Sequence, residues 1–208
     1  EQDMSNNVYE VITKNLNNSG LFKTLPNEAF LQSSREVFLQ PLFSDWRILD
    51  ANLILSGQIN IKDNYLNVTF KLWDVYKEKL LINKKIANVS SNSWRVISHI
   101  ISNMIYESVT GEKGYFDTKI VYIHEKTIKN KKQKRIAIMD YDGENHSFLT
   151  LGKNLVLTPR FAPNGKEVVY LSYEDNKPSV YRLNITSKKK KIIGNFEGMS
   201  FAPRFSPD

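Results

Sequence analysis

The sequence predicts an α+β amino-terminal domain, a three-stranded sheet covered by helices, followed by an incomplete all-β propeller of about two blades. Three observations predict it. First, Thr158-Pro159-Arg160-Phe161-Ala162-Pro163-Asn164-Gly165 returns as Phe201-Ala202-Pro203-Arg204-Phe205-Ser206-Pro207-Asp208, an offset of 44 from Pro159 to Pro203. A self-match at ~40–45 residues is the mark of a propeller blade. Second, residues 65–75 alternate apolar and polar, the period of a half-buried strand. Third, Ile97, Ile100, Ile101, Met104 and Ile105 form one helical stripe.

In chain order, residues 4–17 read as an amphipathic helix with Met4, Val8, Ile12 and Leu16 on one face, stopped by Asn17-Asn18-Ser19-Gly20. Residues 30–50 are ambiguous, with a short helix expected around 44–49. Residues 51–61 and 65–75 form a hairpin around Asp63-Asn64. Leu66, Val68, Phe70 and Leu72 point one way, and Asn67, Thr69 and Lys71 the other. Residues 80–89 are a third strand. Residues 93–109 are the clearest helix, with Ser93 or Asn92 expected as its cap and Gly111 as its end. Each apolar side chain of its stripe contributes about 1.5–3 kcal/mol when buried. The pattern is α-β-β-β-α, with helices expected on one face of the sheet. The boundary falls near residues 111–117, giving domains 1–114 and 115–208.

The second half repeats short strands. Residues 119–125 align with 167–173, and 135–140 with 179–184. Residues 147–152 align more weakly with 189–195. A four-residue insertion falls in one expected loop, residues 126–134. Asn164-Gly165 suits a tight turn, with positive φ expected at both. Pro159 and Pro163 confine the strand around Phe161, since proline cannot donate to a ladder. The structural repeat residues are therefore Pro159, Phe161, Pro163, Asn164, Gly165, Pro203, Phe205, Pro207 and Asp208.

Pro159-Arg160-Phe161-Ala162-Pro163-Asn164-Gly165-Lys166, with Val168-Val169-Tyr170 and Val180-Tyr181, resembles the blade repeat of the TolB family, periplasmic components of the Tol-Pal envelope system. Similar blades occur in the propellers of some serine peptidases. Upstream residues favour TolB: Asn18-Ser19-Gly20-Leu21-Phe22, Leu53-Ile54-Leu55-Ser56-Gly57-Gln58-Ile59, the junction from Val109 through Gly111, Gly114 and Phe116 to Tyr122, and Asp140-Tyr141-Asp142-Gly143. The resemblance implies a non-enzymatic periplasmic adaptor. Its amino-terminal region engages TolA, its propeller binds the lipoprotein Pal, and the system serves outer-membrane integrity and division. It also implies six blades and an earlier extended segment that contacts TolA. The chain thus reads as a piece cut at both ends, its signal peptide outside it. Open blade edges are expected to associate between copies. No residue is assigned to partner contact.

The net charge is +7, and it resides in the second half: residues 1–113 carry 12 Lys+Arg and 12 Asp+Glu, residues 114–208 carry 17 and 10. Residues 126–135 and 188–191 hold much of the excess. A basic nucleic-acid-binding module is one alternative, but these lysines lack interleaved aromatics. The other alternative is the gating propeller of a serine peptidase. With no cysteine, disulfides, thiol catalysis and Cys-zinc sites are excluded. His99, His124 and His146 have no metal-ligand spacing. No Gly-x-Ser-x-Gly elbow or Gly-Lys-Ser/Thr phosphate loop is present. Asp140 and Asp142 read as a turn rather than an acid–base pair. No catalytic residue, cofactor or metal is expected. The sequons at Asn67, Asn88 and Asn184 read as chance in an Asn-rich chain. Trp46, Trp73 and Trp94 read as core.

Overall fold

The structure, a computed structural model, describes residues 2–174, 177–194 and 202–206. It divides into two units, Glu1–Asp117 and Thr118–Asp208.

In the first unit, α1 (Gln2–Asn18) buries Val8, Val11, Ile12 and Leu16, one stripe of an amphipathic helix. It ends where Gly20 takes φ +73, a left-handed conformation that costs glycine nothing. β1 (Leu53–Lys62) and β2 (Tyr65–Asp74) pair antiparallel in unbroken register from Leu53 with Asp74 to Lys62 with Tyr65. Asp63 and Asn64 both have positive φ, 50 and 66, as a two-residue turn matching strand twist requires. β3 (Lys79–Ser90) adds on the other side of β2, giving the order β1-β2-β3. Leu66, Val68, Phe70 and Leu72 of β2 are buried. α4 (Trp94–Thr110) packs along α1 and buries Ile97, Ile101 and Ile105.

Three local expectations change. Residues 30–50 hold two helices, α2 (Ser34–Leu39) and α3 (Phe43–Ile48). Ser33 and Glu36 form a reciprocal capping box that fixes α2 in place of longer periodicity. Helices cover both faces of the sheet. Val37, Phe43 and Trp46 pack with Ile54 and Trp73, on the face of β2 opposite Leu72. Ser93 makes no side-chain cap on α4; a 3₁₀ turn, Ser91–Ser93, leads into the helix instead. Gly111, at φ +75, ends α4 as expected.

In the second unit, β4 (Lys119–Ile128), β5 (Lys131–Asp140) and β6 (Ser147–Phe148) form a three-stranded sheet in that order. β7 (Val156–Phe161), β8 (Glu167–Glu174), β9 (Lys177–Asn184) and β10 (Lys190–Gly194) form a four-stranded sheet, β10-β9-β8-β7. The sheets pack through Ile136, Ile138, Val168, Tyr170, Tyr181 and Leu183. The opposite face of the second sheet buries Val169, Leu171 and Val180, with Phe205 against them. β8 is therefore apolar on both faces, as a strand between two layers must be. These are two successive blades of a partial propeller, and the described strands make no closed ring.

Residues 126–134 are not a loop. β4 and β5 continue through them to a two-residue turn, Lys129-Asn130, at φ 47 and 61. Backbone pairing overrides the weak strand propensity of a lysine run.

Candidate functional site

The repeated tag builds the turn that joins β7 to β8 within the second blade. Pro163 and Asn164 occupy the centre of a β-turn closed by the Gly165 N–H donating to the Ala162 carbonyl at 2.9 Å. Proline presets φ at the first central position. Of the Asn164-Gly165 pair, Gly165 has positive φ, +65, and Asn164 does not, contrary to expectation. Its Oδ1 accepts instead from the Lys166 N–H at 2.9 Å, an Asx turn. Pro159 lies where the β7–β8 register shifts, between Leu157 and Arg160, so its missing N–H breaks no pair. Phe161 packs into the cluster between the two blades, and Phe205 against the far face of the second. Pro203 is half-buried. Pro207 and Asp208 lie outside the described residues.

The first blade carries an aromatic and basic face. His124 pairs with Arg135, and Ala137 with Phe148. The Arg135 guanidinium sits 3.5 Å from the Phe148 ring centre. His146 meets Phe148 edge-on at 4.7 Å, and His124 meets it at 5.2 Å. Aromatic rings thus do accompany the basic segment, at its base. Within either unit taken alone, the described residues bring no three imidazole or carboxylate ligand atoms together.

Asp140 and Asp142 serve their turn. Asp140 pairs with Lys119 and accepts from Asn145 Nδ2 at 2.6 Å, and Asp142 accepts from the Glu144 N–H at 3.2 Å. Glu125 accepts from Lys132 at 2.9 Å and Lys134 at 3.4 Å. The Lys132 ammonium holds its carboxyl below the usual range, and Lys134 adds to this.

In the first unit, a cleft of about 480 Å³ opens between Tyr9 and Ile12 of α1, Phe30, and Leu55, Gly57 and Ile59 of β1. His99 is a core residue, 3% exposed. Asn15 Nδ2 lies 2.9 Å from His99 Nδ1 and donates to Ser102 Oγ at 3.0 Å. Trp46 and Trp73 are buried, Trp46 donating to Gln32 Oε1 at 3.0 Å. Trp94 is half-buried, with Arg95 over its ring. No helix among the described residues is long and apolar enough to cross a membrane.

Comparison with known proteins finds two domain models along the chain. Residues 1–81 match the model of the TolB amino-terminal domain, and residues 106–208 that of the TolB beta propeller domain. The Tol-Pal system protein TolB of Pelagibacter ubique is 46% identical over 97% of this chain. The chain belongs to the TolB family.

The TolB of Paramagnetospirillum magneticum is also 46% identical, over 95% of the chain. The crystal structure of TolB from Acinetobacter baumannii superposes with a TM-score of 0.88 at 28% identity, covering 96% of this chain and 49% of that one. The chain spans about half the length of these TolB relatives, 45% and 44% of the two sequences. The family likeness read from Pro159, Phe161 and Gly165 is thereby established for the fold. The Arg135–Phe148 contact was missed by sequence reasoning. Its signal was the pairing of residues 135–140 with 147–148, too short a strand to align with certainty of register.

Proposed function

We propose that this chain works without catalysis, as a periplasmic adaptor of the Tol-Pal envelope system. Residues 1–114 form the domain that engages TolA. Residues 115–208 begin a propeller whose loop-built face takes the lipoprotein Pal, in support of outer-membrane integrity and constriction at division. The observation that carries this reading is the 46% identity to Tol-Pal system proteins over nearly the whole chain. The physics agrees with it. The second sheet, buried on both faces, makes a stiff scaffold, and a stiff scaffold with variable loops loses little entropy on binding a protein.

Titration calorimetry of the full-length protein against the periplasmic part of TolA, and separately against lipid-free Pal, tests the reading. Saturable heats with both partners are expected. Absence of binding to either partner at tens of micromolar protein would remove the adaptor role.

A further inference from the structure

The β4–β5 hairpin outruns its sheet. β6 pairs only with Ala137 and Ile138, so the ladder beyond them has two strands and no third. Gln133 is a tie at the base of this ribbon: its Nε2 donates to the Gly152 carbonyl at 3.3 Å. A Cβ on Gly152 would come within 2.6 Å of Arg135 and 2.9 Å of Gln133, so the two segments are tightly apposed there. Past that tie, Lys126, Thr127, Ile128, Lys129, Asn130, Lys131 and Lys132 are all exposed.

The ribbon's two faces differ in charge. Pairing puts Glu125, Thr127, Lys132 and Lys134 on one face, and Lys126, Ile128, Lys131 and Gln133 on the other. The first face is partly neutralised, because Glu125 takes both of its lysines. On the second face and in the turn, Lys126, Lys131 and Lys129 have no acidic partner among the described residues. Ile128, 45% exposed, shares this face with Lys126 and Lys131, pairs with Lys131 and directly precedes Lys129.

We infer that this ribbon is a docking arm for an anionic lipid surface, with Lys126, Lys129 and Lys131 at the level of the phosphates and Ile128 at the acyl boundary. Lysine stems lie along apolar material while their heads stay hydrated. A single aliphatic anchor joined to several cations is the combination that holds a segment at a charged interface. A nucleic acid fits less well. Its bases need rings to stack on along the strand, and the rings here sit at the base of the arm, Tyr122, His124 and Phe148 half-buried and only His146 exposed, leaving none at the tip. This goes beyond adaptor binding and does not depend on it.

Co-sedimentation of the full-length protein with vesicles tests the arm. Phosphatidylcholine alone is compared with phosphatidylcholine containing one-third phosphatidylglycerol. Binding is expected to the anionic vesicles only, and to weaken as salt rises. The triple variant Lys126→Gln, Lys129→Gln, Lys131→Gln is expected to bind about a hundredfold more weakly, from roughly fivefold per lysine. Ile128→Ser is expected to lose about tenfold with the salt dependence unchanged. Lys132→Gln, on the partly neutralised face, should stay within about threefold. All five positions are exposed, and circular dichroism checks that the fold is kept. Equal binding to neutral vesicles, or wild-type binding by the triple variant, would overturn the proposal. So would an unchanged Ile128→Ser variant together with full competition by soluble polyphosphate, which would make the arm a general polyanion site.

Discussion

Arg135 lies over Phe148, its diagonal neighbour across the β5–β6 pair, with 3.5 Å between guanidinium carbon and ring centre. The Arg135 Nε is buried with no hydrogen-bond acceptor, so the ring face is the compensation it has. A double-mutant cycle with Arg135→Met and Phe148→Leu should give a coupling of about 1 kcal/mol in urea unfolding. Strictly additive losses would mean the two side chains merely share a surface.

Gly114 is a packing glycine. A Cβ there would lie 2.5 Å from the Asn103 Cα and 2.7 Å from its Cβ. Asn103 cannot yield easily, since its Oδ1 accepts from the Phe116 N–H at 2.8 Å and its Nδ2 donates to Asp117 at 2.8 Å. Gly114→Ala should therefore cost about 2–3 kcal/mol. Gly165→Ala, strained only through its positive φ with nothing near the new methyl, should cost about 1 kcal/mol. Melting temperatures of the two variants give the order, and the reverse ranking would contradict it.

Tyr170 is fully buried, stacked on Tyr181 at 5.6 Å. Burial pushes its hydroxyl pKa far up, and Glu174 and Tyr181 add to this. The folded value lies above the unfolded one of about 10, so the fold binds this proton more tightly than the open chain does. Its contribution to stability is complete below pH ~10 and declines as pH rises from there toward the folded value. Thermal unfolding followed from pH ~8 to ~11.5 should show a steeper alkaline fall for the native protein than for Tyr170→Phe. Parallel curves would assign the alkaline loss to other groups.

Asn15 links α1 to α4 at a point with no access to water. Replacing it with leucine keeps the volume but removes the bonds to His99 and Ser102. His99 then loses a buried partner, at about 1–3 kcal/mol, while Ser102 keeps its bond to the Ser98 carbonyl at 2.9 Å. Asn15→Leu should lower the urea midpoint well below that of Tyr9→Leu on the same helix, where the native side chain is part-exposed. Similar midpoints would show that the polar link is dispensable.

Strong local codes were legible in the sequence. Asp63-Asn64 announced its turn, Gly111 its helix end, and the alternation of Leu66 to Leu72 its buried face. The tag at Pro159 and Phe161 gave the blade because its residues answer backbone needs: a preset φ at Pro163, a left-handed residue at Gly165. α2 was readable in principle from Ser33 and Glu36, but six residues are too few to show a helical period. The β4–β5 arm was hidden by composition, since lysines outnumber strand formers and only the cross-strand register holds them extended. The cluster of His124, His146, Arg135 and Phe148 had no local signature at all. It depends on which side of β5 the short strand β6 attaches, a tertiary choice.

Blade two shows its neighbours different inventories: Tyr170 and Leu183 toward the first blade, Leu171 and Val180 toward Phe205. An error on one side is therefore felt by a single adjoining layer. Such a chain can drift in sequence wedge by wedge, and a lesion at Val168 and one at Val169, next to each other in the polypeptide, would be suppressed by compensating changes in different layers.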